Sequence, residues 1–421
     1  MKRKILAITG IRSEYDIMSS VFSTIDSHPL FDLELVVTGA HLSENYGFTI
    51  NEIKADGFKI ADEIENLING NTDSSRVKGL AVQLQGLVQT VSRVRPDFLL
   101  VLGDREESLT TAIVGAYMNI PVAHIAGGDR VVGNVDDQVR HAVTKLAHIH
   151  FVTNQESYDR VIKMGEQSFR VFNVGNPGLD RLLSTPELSV SQIAQRLGLK
   201  ISEEEPYILL IQHVISTEIG QAYEQMQITL EAVKKLRIKT VLSYPNSDAG
   251  SQQIIRAIQD YAFLDNLHIA RNIPRLEFVN LMRKAACLLG NSSAGILEAP
   301  LLKLPVVNVG NRQKGRLHAE NVQFVPHNVE SICQAVKKAI FDQEYRGFVA
   351  KCTNPYGDGH SSKRIANILA EVPIDEKLLI KDVTYWWGET LSLLLRTLMM
   401  RLWVVVAHYC GISMRGTRSF G

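Results

Sequence analysis

The chain has 421 residues, of which 45% are hydrophobic and 21% charged. That is an ordinary globular composition, with length for two domains at roughly 100–200 residues each. Forty-five lysines and arginines balance 45 aspartates and glutamates, so there is no basic excess of the kind a nucleic-acid partner usually requires. A small anion needs only a local basic pocket.

The opening MKRKILAITG is basic and then apolar. Its apolar run is shorter than the roughly 7–15 residues of a secretory signal. Cys287, Cys333, Cys352 and Cys410 form no CxxC pair and no disulfide framework. A cytoplasmic protein that begins with a buried strand is expected.

Short apolar runs then alternate with longer amphipathic stretches, as βα units do. Strands are predicted at Ile5–Thr9, Leu33–Thr38, Asp97–Leu102, Val122–Ile125, Ile149–Val152 and Arg170–Val174, with helices from about Glu14 and from Asp136 to His148. Gly175, Pro177 and Gly178 break the pattern. One short helix follows in 184–206. The alternation then restarts with Tyr207–Ile211, Thr240–Ser243, Leu267–Ile269, Ala286–Leu289 and Val306–Val309. Two doubly wound α/β parallel-sheet domains facing a cleft are expected, with the ligand at the carboxyl ends of the strands. The expected boundaries are 1–178 for the first domain and 179–365 for the second. Residues 366–385 are expected to form a helical region packing back on the first domain, and 386–421 an apolar tail. The tail holds all three tryptophans. Its longest apolar run is too short to span a bilayer, and its composition fits an interfacial helix or a non-native extension equally.

The chain lacks a GxGxxG fingerprint, a GxxxxGK[ST] loop and an HExxH helix, which disfavours NAD enzymes, P-loop kinases and zincins. Four loops carry candidate chemistry. In GIRSEYD, Arg12 precedes a helix start, either as an anion ligand or as a solvated arginine beside an N-capping Ser13. In LGDR, Asp104 and Arg105 follow an apolar strand directly, and Asp104 is either a site carboxylate or a helix cap. In HIAGGDRVVGNVDD, Asp129 and Asp136 bring further carboxylates, with Arg140 four residues after Asp136 to orient it. Asp129 is alternatively a partner of Arg130 or a turn cap. Clustered carboxylates suit proton transfer, because burial and repulsion drive their pKa values apart. In GNSSAGILE, Ser292 and Ser293 open a helix expected to contain Glu298; the helix start could cradle a diphosphate, and Glu298 could accept ribose hydroxyls. An ordinary serine cap remains the alternative there. His213 and the YPNSD loop end two other strands, and a lone histidine there is alternatively structural.

These loops, in this order and at these spacings, resemble the hydrolysing UDP-N-acetylglucosamine 2-epimerases of sialic-acid and legionaminic-acid pathways. The resemblance runs from about Lys4 to Ile368 and also includes GNRQKGR and NPYGDG. It implies a glycosyltransferase-B-like fold. It matches Arg12, Arg105, His213, Asn246, Ser292, Ser293, Glu298 and Arg312 to nucleotide-contacting positions, and Asp104 and Asp136 to catalytic carboxylates. Some members carry a catalytic glutamate where Ala126 stands. Others read HIxGGE, and Asp129 fits that pattern with a shorter side chain. Val214 replaces a usual proline after His213, and Asp16 stands at a position that is often small.

The reaction implied is elimination of UDP from C1 with loss of the C2 proton, then hydration of the glycal. It converts UDP-N-acetylglucosamine to UDP and N-acetylmannosamine without a metal or redox cofactor. His213 joins the three aspartates as a catalytic candidate, because charge on the departing diphosphate needs stabilisation. Two alternatives are a related epimerase of a nucleotide-linked 2,4-diacetamido-2,4,6-trideoxy sugar, and a nucleotide-sugar glycosyltransferase or binder. The expected partner is a UDP-sugar, with no nucleic acid, membrane contact only through the tail, and assembly as a homo-oligomer, dimer or tetramer.

Overall fold

A computed structural model describes residues 2–68, 73–130, 135–215, 217–246, 248–271 and 273–382. The expectations for the tail at 386–421 concern residues outside that set. Seven strands form a first sheet: β1 (Arg3–Thr9), β2 (Phe31–Thr38), β3 (Ile60–Ile64), β4 (Phe98–Leu102), β5 (Val122–Ile125), β6 (Ile149–Val152) and β7 (Val171–Asn173). Six form a second: β8 (Tyr207–Ile211), β9 (Lys239–Ser243), β10 (Leu267–Ala270), β11 (Cys287–Gly290), β12 (Val306–Val309) and β13 (Val322–Val325). The orders are β3-β2-β1-β4-β5-β6-β7 and β10-β9-β8-β11-β12-β13, and every pairing is parallel. In each sheet the winding reverses beside the first strand, between β1 and β4 and between β8 and β11. Open α/β sheets bind ligands at such switch points.

The strands form where the sequence is apolar on both faces, and period-two alternation sends the faces into different cores. In β1, Ile5 and Ala7 join a cluster with Tyr15, Phe22 and Phe151, whereas Leu6 and Ile8 join Leu87 and Val91. In β8, Ile208 and Leu210 face one cluster while Tyr207, Leu209 and Ile211 face another. Two strands, β3 and β13, were not expected. Both lie at sheet edges, and their sequences, IADEI and VQFV, are largely half-buried or exposed. A strand with one neighbour needs no continuous apolar run, so the pattern that reveals central strands is missing. The first helix, Arg12–Asp26, starts two residues before its expected position.

The chain crosses twice between the halves, and the crossings touch backbone to backbone. Gly175 (φ +89°) and Gly357 (φ +116°) pack so closely that a Cβ on Gly357 would lie 3.0 Å from the Gly175 Cα. Asn176 donates its N–H to the Tyr356 carbonyl at 2.7 Å. After the second crossing, the helix Ser361–Glu371 buries Ile365, Ala366 and Leu369 in the cluster that holds Ile5 and Phe22. Its first N–H groups, of Ser361 and Ser362, donate to the Asp180 carboxylate at 3.0 and 2.6 Å.

Candidate active site

The carboxyl ends of β1 and β4 to β7 surround a cavity of about 260 Å³, lined by residues that include Glu14, Asp104, Arg105, Ala126, Asp129 and Arg140. That is below the roughly 300–1,000 Å³ of a pocket for a drug-sized ligand and suits one sugar ring. A larger cavity of about 670 Å³ lies beyond Arg105, with Gly39, Tyr46 and Arg76 in its wall. It lacks Asp104, Asp129 and Arg140, all three of which line the smaller one.

Asp104 stands one residue before the N-cap of the helix Glu106–Met118, which is Arg105. It therefore does not cap that helix. The guanidinium of Arg140 donates to its Oδ2, while Nη1 of the same arginine donates to the Ala126 carbonyl at 2.8 Å. The arginine expected to serve Asp136 thus ties the β4 loop to the β5 loop. Burial raises the Asp104 pKa; Arg140 opposes that, and nearby Asp136 adds to it. Asp136 opens the helix Asp136–Leu146, which carries Arg140 one turn on. His124 donates from Nε2 to the Gly103 carbonyl at 2.8 Å, and burial lowers its pKa to about 3, so it stays neutral and holds the β4 turn.

Asp129 is neither paired with Arg130 nor capping a turn. Its Oδ1 accepts from the hydroxyls of Thr153 at 2.6 Å and Ser157 at 2.7 Å. Gly128 (φ +79°) makes this approach possible, since a Cβ there would lie 2.5 Å from the Ser157 carbonyl oxygen. The guanidinium of Arg160 donates to the Gly128 carbonyl.

Two further carboxyl groups went unrecognised in the sequence. Glu14 Oε2 accepts from the Gly10 N–H at 3.0 Å, and Glu107 Oε2 accepts from Arg105 Nε at 3.3 Å. Both are buried. Burial raises both pKa values, and for Glu14 repulsion from Glu107 is the second cause. A Cβ on Gly10 would fall 1.8 Å from Glu107 Oε1, so this glycine makes room for a carboxyl group. The glutamates of GIRSEYD and LGDREE, each beside a constrained glycine, were the available signal.

The far end of the helix Asp136–Leu146 is also fixed. Lys381 Nζ donates to the carbonyls of Thr144, Lys145 and Ala147 at 3.2, 2.8 and 2.6 Å. It also lies 2.8 Å from Glu166, which takes Lys145 at 2.7 Å and His150 at 3.1 Å. Burial pulls the Glu166 pKa up, but His150, Lys381 and Lys145 outweigh it and bring it down to about 2.

Arg12 is exposed, with its Nε 3.4 Å from Glu52. Its helix is N-capped by Ile11 without a side-chain bond, so Ser13 is not the cap. In the second half, Gly290 (φ +121°) lets β11 end against β8, where a Cβ would meet the Ile211 carbonyl oxygen at 2.1 Å. Asn291 then latches the His213 loop. Its Oδ1 accepts from His213 N–H at 2.7 Å and its Nδ2 donates to the His213 carbonyl at 2.9 Å. Asn246 N–H donates to His213 Nδ1 at 3.2 Å, and Arg312 Nη1 donates to the Asn291 carbonyl at 3.2 Å. Burial lowers the His213 pKa to about 4, helped by Arg312. His213, Asn246, Arg312 and the loop bearing Ser292 and Ser293 are thereby gathered around one asparagine that was not singled out. The helix after the serines has only four residues, Ala294–Leu297, and Glu298 is its C-cap rather than a residue inside it. Arg275 Nη2 donates to Glu298 Oε1 at 2.7 Å, leaving Oε2 as the second acceptor. Among the described residues, no three His, Cys, Asp or Glu side chains group as a metal site.

The sequence profile of UDP-N-acetylglucosamine 2-epimerase matches residues 23–370. The chain belongs to that family. It is 36% identical over 385 residues to the hydrolysing UDP-N,N′-diacetylbacillosamine 2-epimerase of Legionella pneumophila, covering 91% of this chain and all of that protein. It is 32% identical over 345 residues to the UDP-N-acetylglucosamine 2-epimerase of Neisseria meningitidis, covering 80% of this chain and 87% of that one. The crystal structure of UDP-GlcNAc 2-epimerase from Neisseria meningitidis bound to UDP-GlcNAc superposes with a TM-score of 0.73 at 22% identity, covering 88% of this chain and all of that one. The glycosyltransferase-B-like fold expected of the family is the fold observed, and the chain is a hydrolysing nucleotide-sugar 2-epimerase.

Proposed function

We propose that this epimerase acts on a UDP-linked 2,4-diacetamido-2,4,6-trideoxy sugar and releases UDP and the free 2-epimer. The observation that carries the choice is the 36% identity to the Legionella diacetylbacillosamine enzyme along that protein's whole length. It favours the trideoxy substrate over UDP-N-acetylglucosamine, the substrate first expected. The 32% identity to the Neisseria enzyme supports UDP-N-acetylglucosamine as the second reading.

In this reading a carboxylate of the first-half cavity takes the C2 proton as the C1–O bond to UDP breaks, leaving a glycal. Water then adds across C1 and C2, its hydroxyl going to C1 and a proton to C2 on the face opposite the one that lost its proton. Asp104, Asp129 and Asp136 share these transfers. Asp104 suits the work because burial already raises its pKa while Arg140 keeps it oriented. The departing diphosphate meets neutral His213, the N–H groups around Ser292 and Ser293, and Arg105. Arg12, exposed and only 3.4 Å-paired to Glu52, swings to the same phosphates. Glu298 Oε2 accepts ribose hydroxyls, and Asn246 and Arg312 complete the nucleotide site. A cytoplasmic location and a homo-oligomeric state belong to the same reading. Among the described residues no helix is long and apolar enough to cross a membrane.

Proton NMR of product formation tests the proposal. UDP-N,N′-diacetylbacillosamine and UDP-N-acetylglucosamine are offered in parallel, with EDTA present. The expected result is free 2,4-diacetamido-2,4,6-trideoxymannose from the first, formed at the higher kcat/KM. A higher kcat/KM on UDP-N-acetylglucosamine moves the assignment to the second reading. No free 2-epimer from either sugar removes both.

A further inference from the structure

We infer that Thr153 and Ser157 are positioning residues for Asp129, fixing its Oδ1 so that Oδ2 alone faces the sugar as the proton-transfer atom. The inference rests on the assignment of Asp129 to proton transfer made above. Both hydroxyls lie on the same carboxylate oxygen, at 2.6 and 2.7 Å. Both residues are buried, and Thr153 itself lines the cavity.

The direction of the hydrogen bonds is fixed by a third side chain. Asn154 Nδ2 donates to Thr153 Oγ1 at 2.9 Å. With a lone pair of that hydroxyl so engaged, its hydrogen points to Asp129, because a carboxylate only accepts. Asn154 is also the N-cap of the helix Gln155–Lys163, its Oδ1 accepting from Ser157 N–H at 2.9 Å. One asparagine therefore sets the helix start that presents Ser157 and the hydroxyl that presents Thr153. The β5 loop meets this arrangement only because Gly128 lies against the Ser157 backbone. Aspartate carries one methylene less than a glutamate and needs its backbone closer to the substrate. A side chain that short has few rotamers, and two donors on one oxygen leave it a single orientation. Both donors engage the charged form, where hydrogen bonds are strongest.

The test uses the full chain and whichever sugar nucleotide it turns over. Thr153→Val and Ser157→Ala remove the donors with little change of volume. Each is expected to lower kcat about tenfold, and together about a hundredfold, with KM within twofold of wild type. Thr153→Ser, which restores the hydroxyl, should return kcat to within about twofold. In an Asp129→Asn background the same substitutions should change kcat by less than about twofold, since the oriented group is gone. Wild-type kcat in Thr153→Val and Ser157→Ala, with Asp129→Asn slowed but still measurable, overturns the positioning role and leaves the role of Asp129 standing. An equal kcat loss in the Asp129→Asn background, or no recovery with Thr153→Ser, shows a merely structural effect and also overturns it. Wild-type turnover by Asp129→Asn removes Asp129 itself from the reaction, and the inference with it.

Discussion

The loops after β4, β5 and β6 hold their charges in a web of side chains, whereas those after β8, β9 and β11 are joined by side chains bonded to backbone groups. In the first half, Arg140 bridges Asp104 and the Ala126 carbonyl, and two hydroxyls seize Asp129. In the second half, Asn246 is exposed, Ser292 and Ser293 are half-buried, and one asparagine side chain ties the loops together. Proton transfer needs its groups fixed before the substrate arrives, because a misplaced carboxylate loses the geometric advantage of proximity. A flexible nucleotide is better met by surface groups that close around it. The difference matches the two tasks proposed for the halves, and on that proposal the effects of mutation are separable.

The largest expected effect is catalytic. Asp104→Asn should lower kcat by about 10²- to 10⁴-fold, as for other general acid–base groups, and leave KM nearly unchanged. Steady-state kinetics check this, and near-wild-type turnover would show that the web serves stability instead. The next concerns the web's support. Glu166→Gln leaves Lys381 and His150 without their buried anion and should cost roughly 3 kcal/mol or more of folding stability. The Glu166 pKa is depressed to about 2 in the fold. Its stabilisation is therefore complete above the unfolded carboxylate value and is lost as pH falls from about 4.5 toward 2. Denaturant melts of wild type should lose stability across that window relative to Glu166→Gln. Parallel curves would mean that Glu166 is not the acid-sensitive group.

Smaller effects are expected in the second half. Glu298→Ala should weaken UDP binding by about ten- to a hundredfold by calorimetry, through loss of a charged acceptor, while kcat changes less. Asn291→Ala removes two neutral hydrogen bonds to the His213 backbone and should weaken UDP by roughly three- to tenfold. A large kcat loss in Asn291→Ala with unaltered UDP affinity would break the division of labour between the halves.

Much of this was legible in the sequence. Central strands such as FLLVL at β4 announce themselves by being apolar on both faces, and the reversal of strand order follows from the βα grammar. The carboxylates at strand ends were legible because their positions are set by local structure. The partners were not. Arg140 is expected beside Asp136, and nothing local announces that its guanidinium reaches 36 residues back to Asp104. Arg275 finds Glu298 at a separation of 23 residues. Glu14 and Glu107 meet behind Gly10 although 93 positions separate them. Such pairings depend on how two loops from different strands turn toward each other, which no periodicity encodes. The edge strands β3 and β13 escaped for the converse reason, since exposure at the sheet margin removes the apolar pattern itself.

The return of the chain to its starting lobe has a consequence for how the protein is made. Arg3, at the start of β1, donates to the carbonyl of Val372 at 2.8 Å, across 369 positions. Arg170 reaches the carbonyls of Lys377 and Ile380 at 2.7 and 2.6 Å. The core around Ile5 and Phe22 is completed by Ile365, Ala366, Leu369 and Leu378. On the ribosome, the second sheet has all six strands once Val325 has emerged. The older, first-synthesised lobe still lacks its closing helix at that point. Domains made on the ribosome generally fold as units from the amino end, but here the amino-terminal unit waits for residues 361–381. Its apolar face stays open meanwhile, so the docking of residues 361–381 onto a lobe translated long before is a step exposed to chaperones and proteases.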